Sequence, residues 1–119
     1  MPFDTAILDR ALADEQQKNE VARSALLQQT LAALDALGPK FGIERAYIFG
    51  SLLQPGRFHA ASDVDIAVEN IDPEQHFTAI SQLMTVLGRN VDLIRLDTCH
   101  FAQRIREQGL LWTQTHCSS

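Results

Sequence analysis

Across residues 5–37 the apolar side chains recur at helical intervals. Val21, Ala25, Leu27, Leu31, Leu34 and Leu37 fall roughly three or four apart, which predicts a helix with one inward face. The segment has no glycine or proline and is rich in Ala, Leu, Gln and Glu, all strong helix formers. Gly38-Pro39 supplies the stop. Residues 14–20 are polar all round, so either one exposed helix runs through them or two helices meet there. Before them Phe3, Ile7, Leu8, Ala11 and Leu12 make a weaker stripe, suited to packing on the same domain or on a partner.

Beyond the stop the period shortens. Ala46-Tyr47-Ile48-Phe49 is a short apolar run ending at Gly50-Ser51, a strand followed by a tight turn. Residues 52–62 contain Pro55-Gly56 and read as a turn or short helix and a loop. Residues 63–68 alternate, with Val64, Ile66 and Val68 on one face and Asp63, Asp65 and Ala67 on the other. Asp72-Pro73 opens a helix with Asp as N-cap, Phe77, Ile80, Leu83, Met84 and Leu87 as its apolar positions, and Gly88 as its end. A third strand over residues 91–96 carries Asp92. A helix over residues 98–108 places Phe101 and Ile105 inside, and Leu110-Leu111-Trp112 reads as an edge strand before a polar tail. Strands alternating with helices predict an α+β fold, a small sheet covered by helices. Residues 1–40 form an N-terminal helical arm and 41–119 the main domain of one structural unit.

Composition narrows the function classes. The chain has 119 residues, long enough to bury a core without covalent staples. Fifteen acidic against ten basic residues give a net charge of −5, which disfavours direct tracking of a nucleic-acid backbone. No apolar run is long enough to cross a bilayer. The start, Met1-Pro2-Phe3-Asp4, lacks the features of a secretory signal, and Cys99 and Cys117 form no disulfide framework, so a cytoplasmic setting is expected.

The acids are the informative chemistry. Asp63 and Asp65 leave one face of a strand, and Asp92 of the next strand can join them. Two carboxylates ~4 Å apart repel by about 4 kcal/mol at an effective dielectric of ~20. Either the groups splay into solvent, or one takes a proton, or divalent cations sit between them. Oxygen-only ligands suit magnesium, which also carries phosphates. Gly50 permits close approach of backbone to a ligand, and Ser51 offers a hydroxyl.

Ile48-Phe49-Gly50-Ser51, Ser62-Asp63-Val64-Asp65-Ile66-Ala67-Val68 and Asn90-Val91-Asp92-Leu93-Ile94 together resemble the nucleotidyltransferase superfamily related to DNA polymerase β. Within it the chain looks like the minimal nucleotidyltransferases, over roughly residues 41–112. The resemblance implies a mixed sheet with flanking helices and two magnesium ions held by Asp63, Asp65 and Asp92. It implies that Gly50 and Ser51, joined by Arg57 and Ser62, bind the triphosphate of ATP. Asp63 and Asp65 would bridge the metals, and Asp92 would ligate the catalytic ion and help deprotonate an acceptor hydroxyl. The reaction would pass a nucleoside monophosphate to that hydroxyl with pyrophosphate leaving.

Two departures stand out. Eleven residues, 52–62, separate Ser51 from Asp63, where the family has ten. The family's Arg-Gly in that loop is replaced by Gln54-Pro55-Gly56-Arg57, so either Arg57 supplies the charge from a shifted place or the phosphate grip is weaker. The chain lacks the length for an added acceptor domain, so a partner protein is expected to supply the hydroxyl. Among minimal nucleotidyltransferases this points to an antitoxin that adenylylates a HEPN-type toxin. The contrasting expectation is an inert module that neutralises its partner by contact.

Other patterns carry less. The acidic stretch lacks the Gly and Glu of a calcium loop. Arg95 and His100 match the spacing of HEPN ribonucleases, but Arg95 falls in a strand, where that all-helical family has none. His59, His76, His100 and His116 lack metal-ligand spacing, with His59 a solvated loop residue. Tyr47 and Trp112 read as packing residues, and Arg104 and Arg106 as a solvated helix face.

Overall fold

Helix α1 (Thr5–Leu37) runs unbroken through the polar segment, so the long-helix alternative is the one adopted. A computed structural model describes residues 5–59 and 61–114, with residues 5–9, 11 and 12 by backbone only. Phe3, with His116 and Cys117 of the tail, lies outside the described residues, as do the side chains of Ile7, Leu8, Ala11 and Leu12. The inward face of α1 is Leu26, Thr30, Ala33 and Leu34, with Leu27, Leu31 and Leu37 packed beside them. Val21 and Ala25, expected on that face, are exposed. The core contacts of the described side chains of α1 begin at Leu26, so Val21 and Ala25 are left without a packing surface. Thr30 is fully buried and donates its hydroxyl to Leu26 O at 2.7 Å, which satisfies it within the helix.

α1 ends where predicted. Gly38 N–H donates to Leu34 O, and Pro39–Phe41 continue as a 3-10 turn. A side chain at Gly38 would collide with the ring of Trp112, whose indole N–H donates to Asp35 Oδ1 at 2.7 Å.

Four strands form one mixed sheet: β1 (Arg45–Phe49), β2 (Val64–Val68), β3 (Val91–Arg95) and β4 (Leu110–Thr113), in the order β3-β2-β1-β4. β1 runs antiparallel to β2 and β4, while β2 and β3 are parallel. A parallel pair needs a crossover, and helix α2 (His76–Leu87) provides it. Asp72 caps its start through a 3-10 turn, accepting from Glu74 N–H, and Gly88 closes it at φ +69°. Ala79, Leu83 and Leu87 face inward, whereas Phe77 is 82% exposed and Met84 lies at the surface, which corrects the expected apolar face.

Each sheet face has its own cover. Ala46, Ile48, Val64, Ile66, Val68, Val91 and Leu93 pack under α1 and α2. Tyr47 and Ala67 pack with Leu96, Ala102 and Ile105 on the other face, under helix α3 (Ala102–Gln108). α3 has only seven residues and leaves one end of that face bare. Phe101 precedes α3 and is 54% exposed, contrary to its expected inward position. Tyr47 and Trp112 are packing residues, as expected. Among the described residues no helix is long and apolar enough to cross a membrane.

Candidate functional site

The bare end of the α3 face is where the acids emerge. Asp65 on β2 pairs in register with Asp92 on β3, and neighbouring strands in register send those side chains to the same side. The two carboxyl groups are close enough to hydrogen-bond. Burial pushes the Asp65 carboxyl up from 3.8 to about 6. The charge on Asp92, the hydrogen bond Asp65 donates to it, and the charge on Asp63 act in the same direction. Crowding and burial thus make the Asp65 carboxyl easier to protonate than an ordinary aspartate, the direction expected for carboxylates that share a site. Asp63 immediately precedes β2 and is exposed, as is Asp92. Among the described residues no three His, Cys, Asp or Glu side chains form a ready-made metal cage. Asp65 and Asp92 are within reach of each other, while Asp63 acts on Asp65 through its charge.

Gly50 explains why a glycine is needed here. Its φ is +78°, in the left-handed region, and a Cβ would overlap Asp65 Oδ2. The glycine backbone thus lies directly against the carboxylate, at a position where β1 and β2 pair Phe49 with Asp65. Residues Gly50–Leu53 form a single 3-10 turn, with Leu52 buried and Ser51 partly exposed.

The loop that follows is pinned from outside. Ser62 is buried, and its Oγ accepts from the His59 backbone N–H at 2.9 Å. Arg89, from the turn between α2 and β3, donates to Ser62 O at 2.9 Å and lies 5.6 Å from the Phe58 ring centroid. Arg23 of α1 donates to Leu52 O at 2.9 Å and pairs with Glu20. Ser62 therefore serves the shape of the loop, whereas Arg57 is exposed and its N–H closes a turn onto Gln54 O. His59 accepts from Ala61 N–H through Nδ1, a local loop contact.

Two depressions open on either side of Phe101. Beside Gly50 a cleft of about 410 Å³ opens between the Gly-Ser turn and α3, walled by Phe49, Gln54, Phe101, Arg104 and Gln108 among others. On the far side of Phe101 a groove of about 370 Å³ runs over Ile94, with His76, Cys99 and His100 on its wall. Arg104 is solvated as expected but also borders the first cleft. Arg106 pairs with Glu69 at 2.5 Å and Arg95 with Asp97 at 2.6 Å. Neither Arg89 nor Phe101 carries a local sequence signal of its place here, because that place depends on neighbours far away in the chain.

The donor set suits a hard cation. It is all oxygen, and the mutual repulsion of Asp65, Asp92 and Asp63 is of the kind a dication offsets.

Comparisons with known proteins point the same way. A sequence model of the family described as polymerase beta, nucleotidyltransferase matches residues 34–115. No curated protein matches the chain. Several solved structures are similar, among them the following three. The first, a toxin–antitoxin with AMP-PNP, has 29% identity and a TM-score of 0.57, covering 75% of this chain and 73% of that one. The second, a mutant MntA–HpeT toxin–antitoxin, has 28% identity and a TM-score of 0.52, covering 71% and 69%. The third is described as a minimal nucleotidyltransferase, at 19% identity and a TM-score of 0.58, covering 74% and 93%.

Proposed function

Since this chain belongs to the polymerase beta nucleotidyltransferase family, we propose that it transfers AMP from ATP to a hydroxyl of a partner protein, in a magnesium-dependent reaction. The observation that carries the proposal is the contact of Asp65 with Asp92 directly beneath the backbone of Gly50. Acids and a phosphate-accommodating turn on one bare sheet end are what nucleotidyl transfer needs.

Asp65 and Asp92, with Asp63 beside them, are the residues that would hold magnesium. Bound there, the metal would offset phosphate charge and favour ionisation of the acceptor hydroxyl. The residues divide the remaining work. Gly50 and Ser51 present backbone and hydroxyl donors to the phosphates, and Arg57 adds positive charge from the loop. Asp92 accepts the hydroxyl proton as the acceptor oxygen bonds to the α-phosphorus. The bond from that phosphorus to the bridging oxygen breaks, and pyrophosphate leaves.

The partner is proposed to be a HEPN-type ribonuclease toxin, neutralised by adenylylation in the cytoplasm. Similarity to two toxin–antitoxin structures supports this. A second reading is neutralisation by contact alone. The eleven-residue loop, with Gln54-Pro55-Gly56-Arg57 in it and Ser62 committed to its own backbone, favours that reading.

The two separate in one experiment. With α-labelled ATP, magnesium and the co-expressed partner, label is expected on the partner. A chelator or Asp63→Asn/Asp65→Asn should abolish the transfer. Unlabelled partner, neutralised as well by the double variant as by the parent, would establish the contact reading instead.

A further inference from the structure

The acids and the Gly-Ser turn account for phosphates only. The nucleoside attached to them must leave in one direction, and the α3 face offers two depressions. The cleft along α3 shares Gly50 with the phosphate side, so a ligand can be continuous from one to the other. Its volume of about 410 Å³ lies within the roughly 300–1,000 Å³ of small-molecule sites.

The walls carry the chemistry of a base. Phe101 leaves 54% of its surface in water while its neighbours Ala102 and Ile105 are buried. An exposed ring at a cleft is a stacking platform. Gln54 reaches the cleft from the turn side and Gln108 from the end of α3. Each amide offers a donor and an acceptor, the pair that complements N6 and N7 of adenine. Among the described lining residues there is no carboxylate to accept from the N1–H and N2–H₂ edge of guanine. Arg104 adds a positive charge at the same wall.

We infer that the cleft between the Gly-Ser turn and α3 is the base subsite for an adenine nucleotide, with Phe101 stacking on the base and the Gln54 and Gln108 amides reading its edge. The inference rests on the nucleotidyltransferase reading and adds the residues that choose the base.

The test is calorimetric titration of the whole protein with magnesium and ATP, GTP or inorganic tripolyphosphate. ATP is expected to bind at least tenfold tighter than GTP. Phe101→Ala should weaken ATP about tenfold or more, leave tripolyphosphate unchanged, and be rescued by Phe101→Tyr. Gln54→Leu/Gln108→Leu should remove the preference for ATP over GTP. Phe101 is exposed, so an unchanged thermal midpoint will show that its variants fold. ATP binding that ignores Phe101→Ala overturns the subsite. So does an ATP preference that survives loss of both amides, which would place the base in the groove over Ile94. If tripolyphosphate still binds in those cases, the transferase reading stands; if neither tripolyphosphate nor ATP binds, both fall.

Discussion

Gly50 and Asp65 constrain each other atom by atom. The left-handed backbone at Gly50 costs an L-residue about 1 kcal/mol or more, and a methyl there would also press on the Asp65 carboxyl. Gly50→Ala is therefore expected to lower stability by about 1–3 kcal/mol in urea titration and to abolish nucleotide binding. A variant of parental stability with normal binding would contradict the geometry. Asp65 gives a sharper signature. Its carboxyl is raised to about 6 from 3.8, so ionising it opposes folding. The penalty is absent below about pH 4, grows as pH rises through 6, and is complete above that. Discounted for its half-exposed position, it amounts to about 1–2 kcal/mol. Asp65→Asn should accordingly raise the metal-free urea midpoint at pH 8 and leave it nearly unchanged at pH 4. Destabilisation at pH 8 would sink this account.

At the scale of elements, what could be read from sequence follows from how local each cause is. The alternation of Val64, Ile66 and Val68 sets β2 and its inward face because strand period is a local property. The same period sends Asp65 to the opposite face, and Asp92 joins it because both lie at equivalent places in parallel strands. Gly38-Pro39, Asp72-Pro73 and Gly88 mark helix ends by backbone chemistry that needs no tertiary context. Hydrophobicity alone places Phe77 and Phe101 inside. Their exposure reflects how short the covering elements are, which no single segment reveals. Arg89 is the clearest case of a distant cause, since its hydrogen bond reaches Ser62, 27 residues away. It holds the loop through that bond and the Phe58 ring. Arg89→Ala should cost about 1–2 kcal/mol and speed amide exchange at His59, Ala61 and Ser62 while β1 to β3 stay protected. Uniform acceleration across the sheet would show a global rather than a local role.

At the scale of the molecule the first half of α1 stands apart. Thirty-three residues make a helix roughly 50 Å long, and the extents are 65 × 32 × 26 Å. The radius of gyration is 17.3 Å, where a compact chain of this length has about 13.5 Å. Its core residues begin at Leu26, and residues 13–18 are exposed all round. Stability should therefore be divided along its length. Asp14→Pro is expected to remove helical signal at 222 nm yet shift the main thermal midpoint by less than ~1 kcal/mol equivalent, because the outer turns can open locally. Leu34→Ala, fully buried, should cost 2–5 kcal/mol. Equal losses from both would mean that the outer turns are held by contacts beyond the chain's own core.

The contact between Trp112 and Asp35 joins the last strand to the end of the first helix. β1 pairs with β2 on one flank and β4 on the other, so during synthesis its β4 flank stays unpaired until residues 110–113 have been made. A nascent chain stalled before that point presents an open template for strand addition, and the tryptophan is the latch whose arrival removes it.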